Sequence, residues 1–185
     1  KMCCDSGIRM KHSELKRFDR CSHFVTERFD RTQEGKVHMQ SLAALTGGAS
    51  SYEEAFNVVR RLKLDYADKE QLFRMMVFNV LGGNIDDHDK NFSFLMDKHG
   101  TWSLAPAYDM NPTTNDYQSI LITASSNKAD LNLLLEASED YMLRRHEAEA
   151  IVNEVVAALK PWKSLATKLG ISEREIALFA GRLPS

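Results

Sequence analysis

Residues 68–91 read DKEQLFRMMVFNVLGGNIDDHDKN, a long apolar segment that runs directly into a cluster of acidic and amide side chains. From Asp68 onward, apolar residues occupy nearly every side of a helix, a pattern typical of a helix that is buried all round. The pair Gly82 and Gly83 favours a helix end, because glycine readily adopts the left-handed conformation found there. The sequence therefore predicts a central core helix that delivers a polar loop, residues 84–91, straight from the interior.

Shorter elements are predicted on both sides of this segment from apolar spacing and turn residues. Two short apolar runs follow the polar loop and flank a turn at Gly100, which predicts a β-hairpin over residues 92–104. The other predictions are a strand within residues 22–31, a short helix over 39–45, a helix from Ser51 to about Leu62, a strand over 118–123, a helix over 148–159, and a last helix capped by Ser172 and Glu175. Together they predict a mainly α fold with small β elements, of the α+β class.

Composition and charge restrict the class of protein. The chain has 185 residues, of which 43% are hydrophobic and 27% charged, as in ordinary globular proteins. A formal net charge of -2 gives no electrostatic reason to expect nucleic acid or a membrane as the direct partner. No apolar run approaches the length of a transmembrane helix, and the first ten residues lack the apolar segment of a secretory signal. The three cysteines suit reduced thiols better than a disulfide framework, so we expect a cytoplasmic protein.

The polar loop carries the residue types that phosphoryl transfer requires. Asp86 and Asn91 stand five positions apart, which is the spacing of kinase catalytic loops, and Asp109 follows beyond the predicted hairpin. In such enzymes one carboxylate accepts the proton of the attacking hydroxyl, while an amide oxygen and a second carboxylate hold Mg²⁺ against the phosphates of ATP. Lys90 could neutralise charge on the transferred phosphoryl group, with a solvated lysine as the alternative. For the loop as a whole, the alternative is a polar turn without catalytic function.

Two motifs in a fixed order resemble a known family. Residues 84–95, NIDDHDKNFSFL, and then residues 104–109, LAPAYD, resemble the C-terminal domain of HipA-like Ser/Thr kinase toxins. The resemblance implies ATP and Mg²⁺ as cofactors. It further implies Asp86 as the catalytic base, and Asn91 together with Asp109 as the Mg²⁺ ligands.

The same resemblance assigns the predicted strand at residues 22–31 to the hinge of a kinase. Glu27 and Phe29 would meet adenine there through their main-chain groups, with a core position as the alternative for Phe29. His88 is grouped with these cofactor-binding residues. We expect His88 to be buried and to hold the catalytic loop by hydrogen bonds rather than to bind the metal, because magnesium prefers oxygen ligands.

The resemblance also bears on what lies outside the sequence. Only about 20 residues precede the hinge, and they contain no Gly-rich phosphate loop and no strand-borne lysine of the kinase type. Residues 1–185 are therefore expected to be the large C-terminal lobe of a protein-kinase-like fold without its small lobe, as a fragment of a longer protein or a kinase completed by another polypeptide. This part alone is expected to be inactive. The family implies a protein substrate such as an aminoacyl-tRNA synthetase, and a DNA-binding antitoxin of the HipB type as partner.

Two other functions are compatible with these residues. The adjacent His88 and Asp89 resemble the histidine-aspartate pair of metal-dependent phosphohydrolases, which would require further histidines on helices upstream. His12, His23 and His38 occupy poor positions for that role. The third function is a non-catalytic, pseudokinase-like module that binds a partner and whose acidic loop is structural. Mg²⁺-dependent ATP binding and phosphate transfer distinguish a kinase from such a module.

Overall fold

The computed structural model describes residues 1–48, 51–113, 117–123 and 125–184. Its strands are β1 (Ser13–Phe18), β2 (Cys21–Thr26), β3 (Arg31–Thr32), β4 (Gly35–Lys36), β5 (His38–Ser41), β6 (Ser93–Met96) and β7 (Trp102–Leu104). Its helices are α1 (Met2–Asp5), α2 (Leu42–Thr46), α3 (Tyr52–Arg61), α4 (Tyr66–Gly82), α5 (Leu131–Glu136), α6 (Arg145–Leu159), α7 (Trp162–Lys168) and α8 (Glu173–Phe179), and a short 3₁₀ helix covers Asp89–Asn91. The predicted mainly α fold with small β elements is confirmed.

Helix α4 is the centre of the core, as its apolar pattern predicts. The side chains of Phe73, Met76 and Val77 are completely buried, and the helix packs against α5 and α6. It ends at Gly82, and Gly83 takes the predicted left-handed conformation at φ +69°. The polar loop therefore leaves α4 from inside the core.

The start of α4 differs from the prediction. The helix begins at Tyr66, two residues before Asp68, because Asp65 is its N-cap, with a side chain that accepts a hydrogen bond from the Asp68 main-chain N–H at 2.8 Å. Asp68 is instead buried in the first turn. Its carboxylate binds the Arg9 guanidinium and accepts a hydrogen bond from the Leu104 main-chain N–H at 3.0 Å. Asp68 thus ties the N-terminal segment and β7 to the core helix.

The polar loop leads into β6, the central strand of a three-stranded antiparallel sheet in the order β5-β6-β7. Strands β6 and β7 form the predicted hairpin, with Phe94 opposite Leu104 and Gly100 at φ +81° in the connecting turn. Both paired side chains are buried. The sheet therefore joins the end of the loop to the core and sets the direction of the chain after it.

Strand β5 corrects the helix predicted over residues 39–45. Residues up to Ser41 pair with β6, and the helix α2 starts only at Leu42. Ser41 ends the strand and caps the helix, because its hydroxyl accepts a hydrogen bond from the main-chain N–H of Ala44 at 3.2 Å. The glycines on either side of this segment indicated a helix, but pairing with β6 holds the first residues of the predicted helix in an extended conformation.

The antiparallel hairpin formed by β1 and β2 is exposed along its whole length. It includes four large apolar side chains that are exposed: Leu15, Phe18, Phe24 and Val25. An isolated two-stranded hairpin is marginally stable at best in water. This region therefore contributes little to the core formed by the helices and the β5-β6-β7 sheet.

The strand predicted over residues 22–31 is correct only in its first part, because β2 ends at Thr26. Beyond it the chain turns at Asp30, whose carboxylate binds Arg28 through two hydrogen bonds of 2.9 and 2.7 Å and Arg31 through one of 2.5 Å. The Arg28 guanidinium lowers the pKa of the Asp30 carboxyl below its ordinary value. These ion pairs stabilise a turn where the sequence pattern predicts a continuing strand.

The remaining elements agree only in part with those predicted from the sequence. The strand predicted over 118–123 is not formed, and that segment makes isolated β-bridges such as the one between Ser51 and Leu121. The helix predicted from Ser51 is confirmed as α3, and the predicted capping box of Ser172 and Glu175 begins α8. Helix α6 contains the apolar positions predicted over 148–159. No helix in the described part of the chain is long and apolar enough to cross a membrane.

Candidate active site

The main chain of the polar loop is held at several points. The Gly83 carbonyl accepts a hydrogen bond from the Thr113 N–H at 2.8 Å, and the Ile85 carbonyl accepts one from the Ser119 N–H at 2.8 Å. At the other end, the Asn91 N–H donates to the His88 carbonyl at 2.9 Å within the 3₁₀ turn. Segments distant in sequence therefore fix the loop between the core helix and β6.

The inward face of the loop belongs to a buried chain of hydrogen bonds. The Asn84 side-chain amide donates to Asn79 Oδ1 at 2.9 Å, and the Asn79 amide donates to the Tyr52 hydroxyl oxygen at 3.1 Å. The Tyr52 hydroxyl in turn donates to Asp87 Oδ2. The other Asp87 oxygen, Oδ1, accepts from the Ser119 N–H at 3.2 Å. We call Asn84, Asn79, Tyr52 and Asp87, all buried, the inner network.

Burial changes the titration of the inner network. The desolvated Asp87 carboxyl has its pKa raised to about 7, although the hydrogen bonds from Tyr52 and Ser119 act in the opposite direction. Burial and the neighbouring Asp87 raise the pKa of Tyr52 well above its ordinary value. Tyr52 therefore stays a neutral hydrogen-bond donor, whereas Asp87 changes its charge near neutral pH.

The outward face of the loop presents Asp86 and Lys90 to solvent. Asp86 Oδ1 accepts a hydrogen bond from the Ser119 hydroxyl at 3.3 Å. Asn91, which is 8% exposed, donates its side-chain amide to the Asp86 main-chain carbonyl at 3.0 Å. The five-residue spacing thus brings Asp86 and Asn91 into direct contact. Because the Asn91 amide nitrogen is used in this bond, its Oδ1 is the atom that could bind a cation.

Asp109 is connected to the loop through its neighbour Tyr108. The Tyr108 hydroxyl donates to the Lys90 carbonyl at 2.5 Å and lies 2.6 Å from Ser93 Oγ. Asp109 itself is exposed and has φ +56°, a left-handed conformation that non-glycine residues seldom adopt and that is concentrated at functional sites. Its Oδ1 accepts a hydrogen bond from the Asn111 amide at 2.7 Å. The segment that carries Asp109 is therefore bound to the segment that carries Asn91.

The two predicted hinge residues occupy different positions. Phe29 is half-buried and its ring packs against the Tyr108 ring with 5.5 Å between the centroids, beside the segment that holds Asp109. Glu27 is exposed just after β2, and its main-chain N–H donates to the His12 carbonyl at 3.0 Å. Phe29 therefore lies beside the candidate site, whereas the Glu27 N–H is already used within the protein.

His88 differs from the expectation in its burial and in its hydrogen bonding. The residue is half-buried, but its Nδ1 atom is buried and has no hydrogen-bond partner within the described ranges. The contact that holds the loop is made by the His88 main-chain carbonyl, which accepts from Asn91. The predicted role of the imidazole as a hydrogen-bonded support is therefore not seen at Nδ1.

The donor atoms fit a cation that is shared with phosphates better than one enclosed by the protein. In the part of the chain that the structure describes, no group of three or more His, Cys, Asp or Glu side chains could hold a metal ion. Mg²⁺ commonly takes one or two carboxylates together with phosphate and water oxygens, which suits Asn91 and Asp109. A histidine-rich phosphohydrolase centre has no counterpart among these described residues.

Tyr52, Asn79 and Ser119 are among the residues of the arrangement that were not predicted from the sequence. Asn79 gives a signal, because it is an amide within an otherwise apolar stretch of α4, and buried amides require partners. Tyr52 stands at the start of a capped helix and looks like an ordinary core residue. Ser119 lies in a turn-rich region, and no local pattern indicates its contact with Asp86.

Comparison with known proteins agrees with this architecture. Residues 1–162 match the family model of the HipA-like C-terminal domain. Over 93 residues the chain is 36% identical to Y4dM of Sinorhizobium fredii, named as a candidate kinase, with 47% of this chain and 23% of that protein covered. A Haemophilus influenzae protein, also named as a candidate kinase, is 31% identical over 117 residues, or 54% of this chain and 34% of its own length. The matched parts thus span less than half of these relatives.

Two solved structures share the fold. HipA of Shewanella oneidensis, in a toxin-antitoxin complex with HipB and operator DNA, superposes with a TM-score of 0.78 at 18% identity, covering 98% of this chain and 51% of the other. CtkA, a proinflammatory kinase of Helicobacter pylori, gives a TM-score of 0.52 at 13% identity, with 85% and 78% covered. At these identities the likeness concerns the fold alone.

Proposed function

The chain belongs to the family of HipA-like C-terminal domains, and from this premise we propose that it is the large lobe of an ATP- and Mg²⁺-dependent protein Ser/Thr kinase of the toxin type. One observation carries the proposal. Asp86 and Asn91 are in direct contact, and the Tyr108–Lys90 hydrogen bond joins the segment of Asp109 to them. These are the carboxylate, amide and second carboxylate that phosphoryl transfer requires.

The proposed reaction moves the γ-phosphoryl group of ATP to a Ser or Thr hydroxyl. The hydroxyl oxygen attacks the γ-phosphorus, the bond between that phosphorus and the β-phosphate oxygen breaks, and ADP leaves. Asp86 accepts the hydroxyl proton, and its exposure in the structure allows a substrate protein to reach it. Asn91 and Asp109 are the proposed ligands of Mg²⁺, which, when bound, supplies positive charge beside the phosphates.

Other residues would bind the nucleotide and stabilise the transferred group. The exposed Lys90 ammonium lies on the same face as Asp86 and can offset the negative charge on the phosphoryl oxygens. Phe29, packed on Tyr108, is proposed to contact adenine through its main chain, together with the Glu27 carbonyl. The phosphate contacts of a small lobe would come from sequence or a polypeptide outside these residues.

The partners are proposed from the family. The Shewanella HipA structure is a complex with HipB and operator DNA, which supports a DNA-binding antitoxin of the HipB type as the partner of this protein. The formal net charge of -2 suits an indirect attachment to DNA through such a partner better than direct binding. An aminoacyl-tRNA synthetase is the proposed kind of substrate, on the family resemblance alone.

Metal-dependent phosphate transfer tests the proposed function. The protein is expressed from its complete gene, with the small lobe if that is encoded separately, and incubated with γ-³²P-labelled ATP and bacterial lysate proteins in Mg²⁺ or in EDTA. We expect labelled protein in Mg²⁺ only. Asp109→Ala should reduce the rate by roughly 10²-fold or more, because it removes a proposed ligand of the Mg²⁺ that offsets the negative charge of the phosphates.

The matched control is Asp140→Ala, which removes an exposed carboxylate from the turn between α5 and α6 and should leave the rate unchanged. Transfer at the wild-type rate by Asp109→Ala would contradict the assignment of that residue. A wild-type protein that transfers no phosphate would favour the non-catalytic, partner-binding module instead.

A further inference from the structure

We infer that Ser119 is a positioning residue for the catalytic base: its hydroxyl orients Asp86, while its main chain is fixed by the buried Asp87. This inference rests on the proposed function, because it presumes that Asp86 accepts the proton of the attacking hydroxyl. It assigns a role to a residue about thirty positions away in sequence from the loop.

Ser119 connects the two faces of the loop. Its hydroxyl donates to Asp86 Oδ1 at 3.3 Å, on the outward face. Its single N–H is shared between the Ile85 carbonyl at 2.8 Å and Asp87 Oδ1 at 3.2 Å, on the inward face. Ser119 therefore combines a side-chain bond to Asp86 with a main-chain bond to the Asp87 side chain. Ser119 is thus the direct link between the exposed carboxylate and the inner network.

The residues before and after Ser119 are buried in the protein and fix its position. Its neighbours Gln118 and Ile120 are buried, with 1% and 0% of their surface exposed, whereas Ser119 itself is exposed. The Gln118 N–H also donates to the Asn127 carbonyl at 2.8 Å. The Ser119 hydroxyl is therefore presented from a backbone that cannot shift without disturbing buried residues.

A fixed donor matters because Asp86 is exposed. An exposed carboxylate can rotate freely, and a general base works only when its oxygen lies within hydrogen-bond reach of the proton that it accepts. The bond from Ser119 engages Oδ1 and so directs Oδ2 toward an incoming hydroxyl. A misplacement of about 1 Å at such a group can reduce the rate by roughly 10²-fold.

The buried inner network holds the Ser119 main chain in place. Asp87 fixes the Ser119 N–H through Oδ1 and receives the Tyr52 hydroxyl at Oδ2, and Tyr52 is held by the Asn79 amide. Residues of α3 and α4 are in this way connected to the orientation of Asp86. They touch no proposed substrate atom, and the Ser119 residue connects them to the Asp86 carboxylate.

The test compares Ser119→Ala, Ser119→Thr and the control Ser103→Ala, which removes an exposed hydroxyl from β7, in the complete kinase. The acceptor is the lysate protein that the wild type labels best. We expect Ser119→Ala to lower kcat by roughly 10- to 100-fold with the KM for ATP changed less than about threefold, because nucleotide binding does not require the hydroxyl. Ser119→Thr keeps the donor and should restore kcat to within about fivefold of wild type.

A merely structural role would give a different result, because Ser119→Ala would then lower the unfolding midpoint and raise the KM, and Ser119→Thr would be no better. That result overturns the inference. Wild-type kcat in Ser119→Ala also overturns it, as does phosphate found on Ser119 of the active enzyme, since an esterified oxygen cannot donate to Asp86. Asp86→Ala is measured alongside. If it transfers phosphate normally, the proposed function fails and the inference fails with it; if it is inactive while Ser119→Ala is normal, the inference fails alone.

Discussion

The two faces of the polar loop use the same residue type in opposite environments. Asp86 is exposed and accepts a hydrogen bond from the Ser119 hydroxyl. Its neighbour Asp87 is completely buried and accepts hydrogen bonds from the Tyr52 hydroxyl and the Ser119 main-chain N–H. One step along the chain thus separates a carboxylate that a substrate can reach from one that it cannot. Substitutions in this loop should therefore separate effects on stability from effects on phosphate transfer.

This separation has a structural cause in α4. The helix ends at Gly82 inside the core, so the residues after its Gly83 cap start buried, at Asn84 and Ile85, before the loop reaches the surface. Buried polar groups must find partners, and the inner network supplies them. We therefore expect changes to the inward face to alter the free energy of unfolding, and changes to the outward face to alter phosphate transfer.

The largest effect on stability is expected from the titration of Asp87. Its folded pKa of about 7 lies above the ordinary 3.8 of an aspartic acid, so between about pH 4 and 7 the folded protein keeps a proton that the unfolded chain has released. The stabilisation from this group is complete below about pH 4 and is lost as the pH rises through 7. Relative to Asp87→Asn, the wild type should lose roughly 3–4 kcal/mol of unfolding free energy across that window.

Urea denaturation of both proteins at several pH values measures this difference. Asp140→Asn, at an exposed position, is the matched control and should follow the wild type. Parallel pH profiles for the wild type and Asp87→Asn would show that Asp87 does not keep its proton in the folded state.

A smaller loss of stability is expected for Tyr52→Phe. The phenylalanine keeps the ring packed edge-on against Phe92 at 5.7 Å but removes the hydroxyl between Asn79 and Asp87. Two buried polar groups lose a partner, which should cost roughly 2 kcal/mol. Denaturation at pH 7 checks this value against Tyr117→Phe, whose parent side chain is 62% exposed. Equal stability in the two variants would show that the Tyr52 hydroxyl does not stabilise the inner network.

The smallest effect is expected on the outward face, for Lys90→Ala. Because Lys90 is exposed, the unfolding free energy should stay within about 0.5 kcal/mol of wild type. The rate of phosphate transfer should fall about tenfold through the lost charge, and Lys90→Arg should keep most of it. The same assay on Lys168→Ala, at another exposed position, is the control. An unchanged rate for Lys90→Ala would support the alternative that Lys90 is a solvated lysine.

The sequence predicted those parts of the fold that depend on local pattern. The apolar stretch of α4, its glycine end and the β6–β7 hairpin follow from side-chain periodicity and turn residues, and all three are confirmed. Asp86 and Asn91 could be proposed from their five-residue spacing, and Asp109 from its place beyond the predicted hairpin and from the family resemblance. Only the three-dimensional structure shows that Tyr108 ties them together.

What the sequence did not predict depends on contacts between distant segments. Strand β5 exists because residues 38–41 pair with β6, more than fifty positions away, and no local feature of the segment indicates this pairing. The turn after Thr26 depends on ion pairs at Asp30, and the link from Ser119 to Asp86 crosses thirty-three positions. The inner network could be suspected only at Asn79, where an amide interrupts an apolar pattern.

The assignment of Asp86 as the base is tested most directly by Asp86→Ala in the complete kinase, with ATP–Mg²⁺ binding and phosphate transfer measured on the same preparation. Because the side chain is exposed and is not one of the buried residues of the inner network, the variant should fold and should bind ATP–Mg²⁺ within about threefold of wild type. Its transfer rate should fall by roughly 10²- to 10⁴-fold, the usual contribution of a general base. Transfer at the wild-type rate by this folded, nucleotide-binding variant would contradict the account.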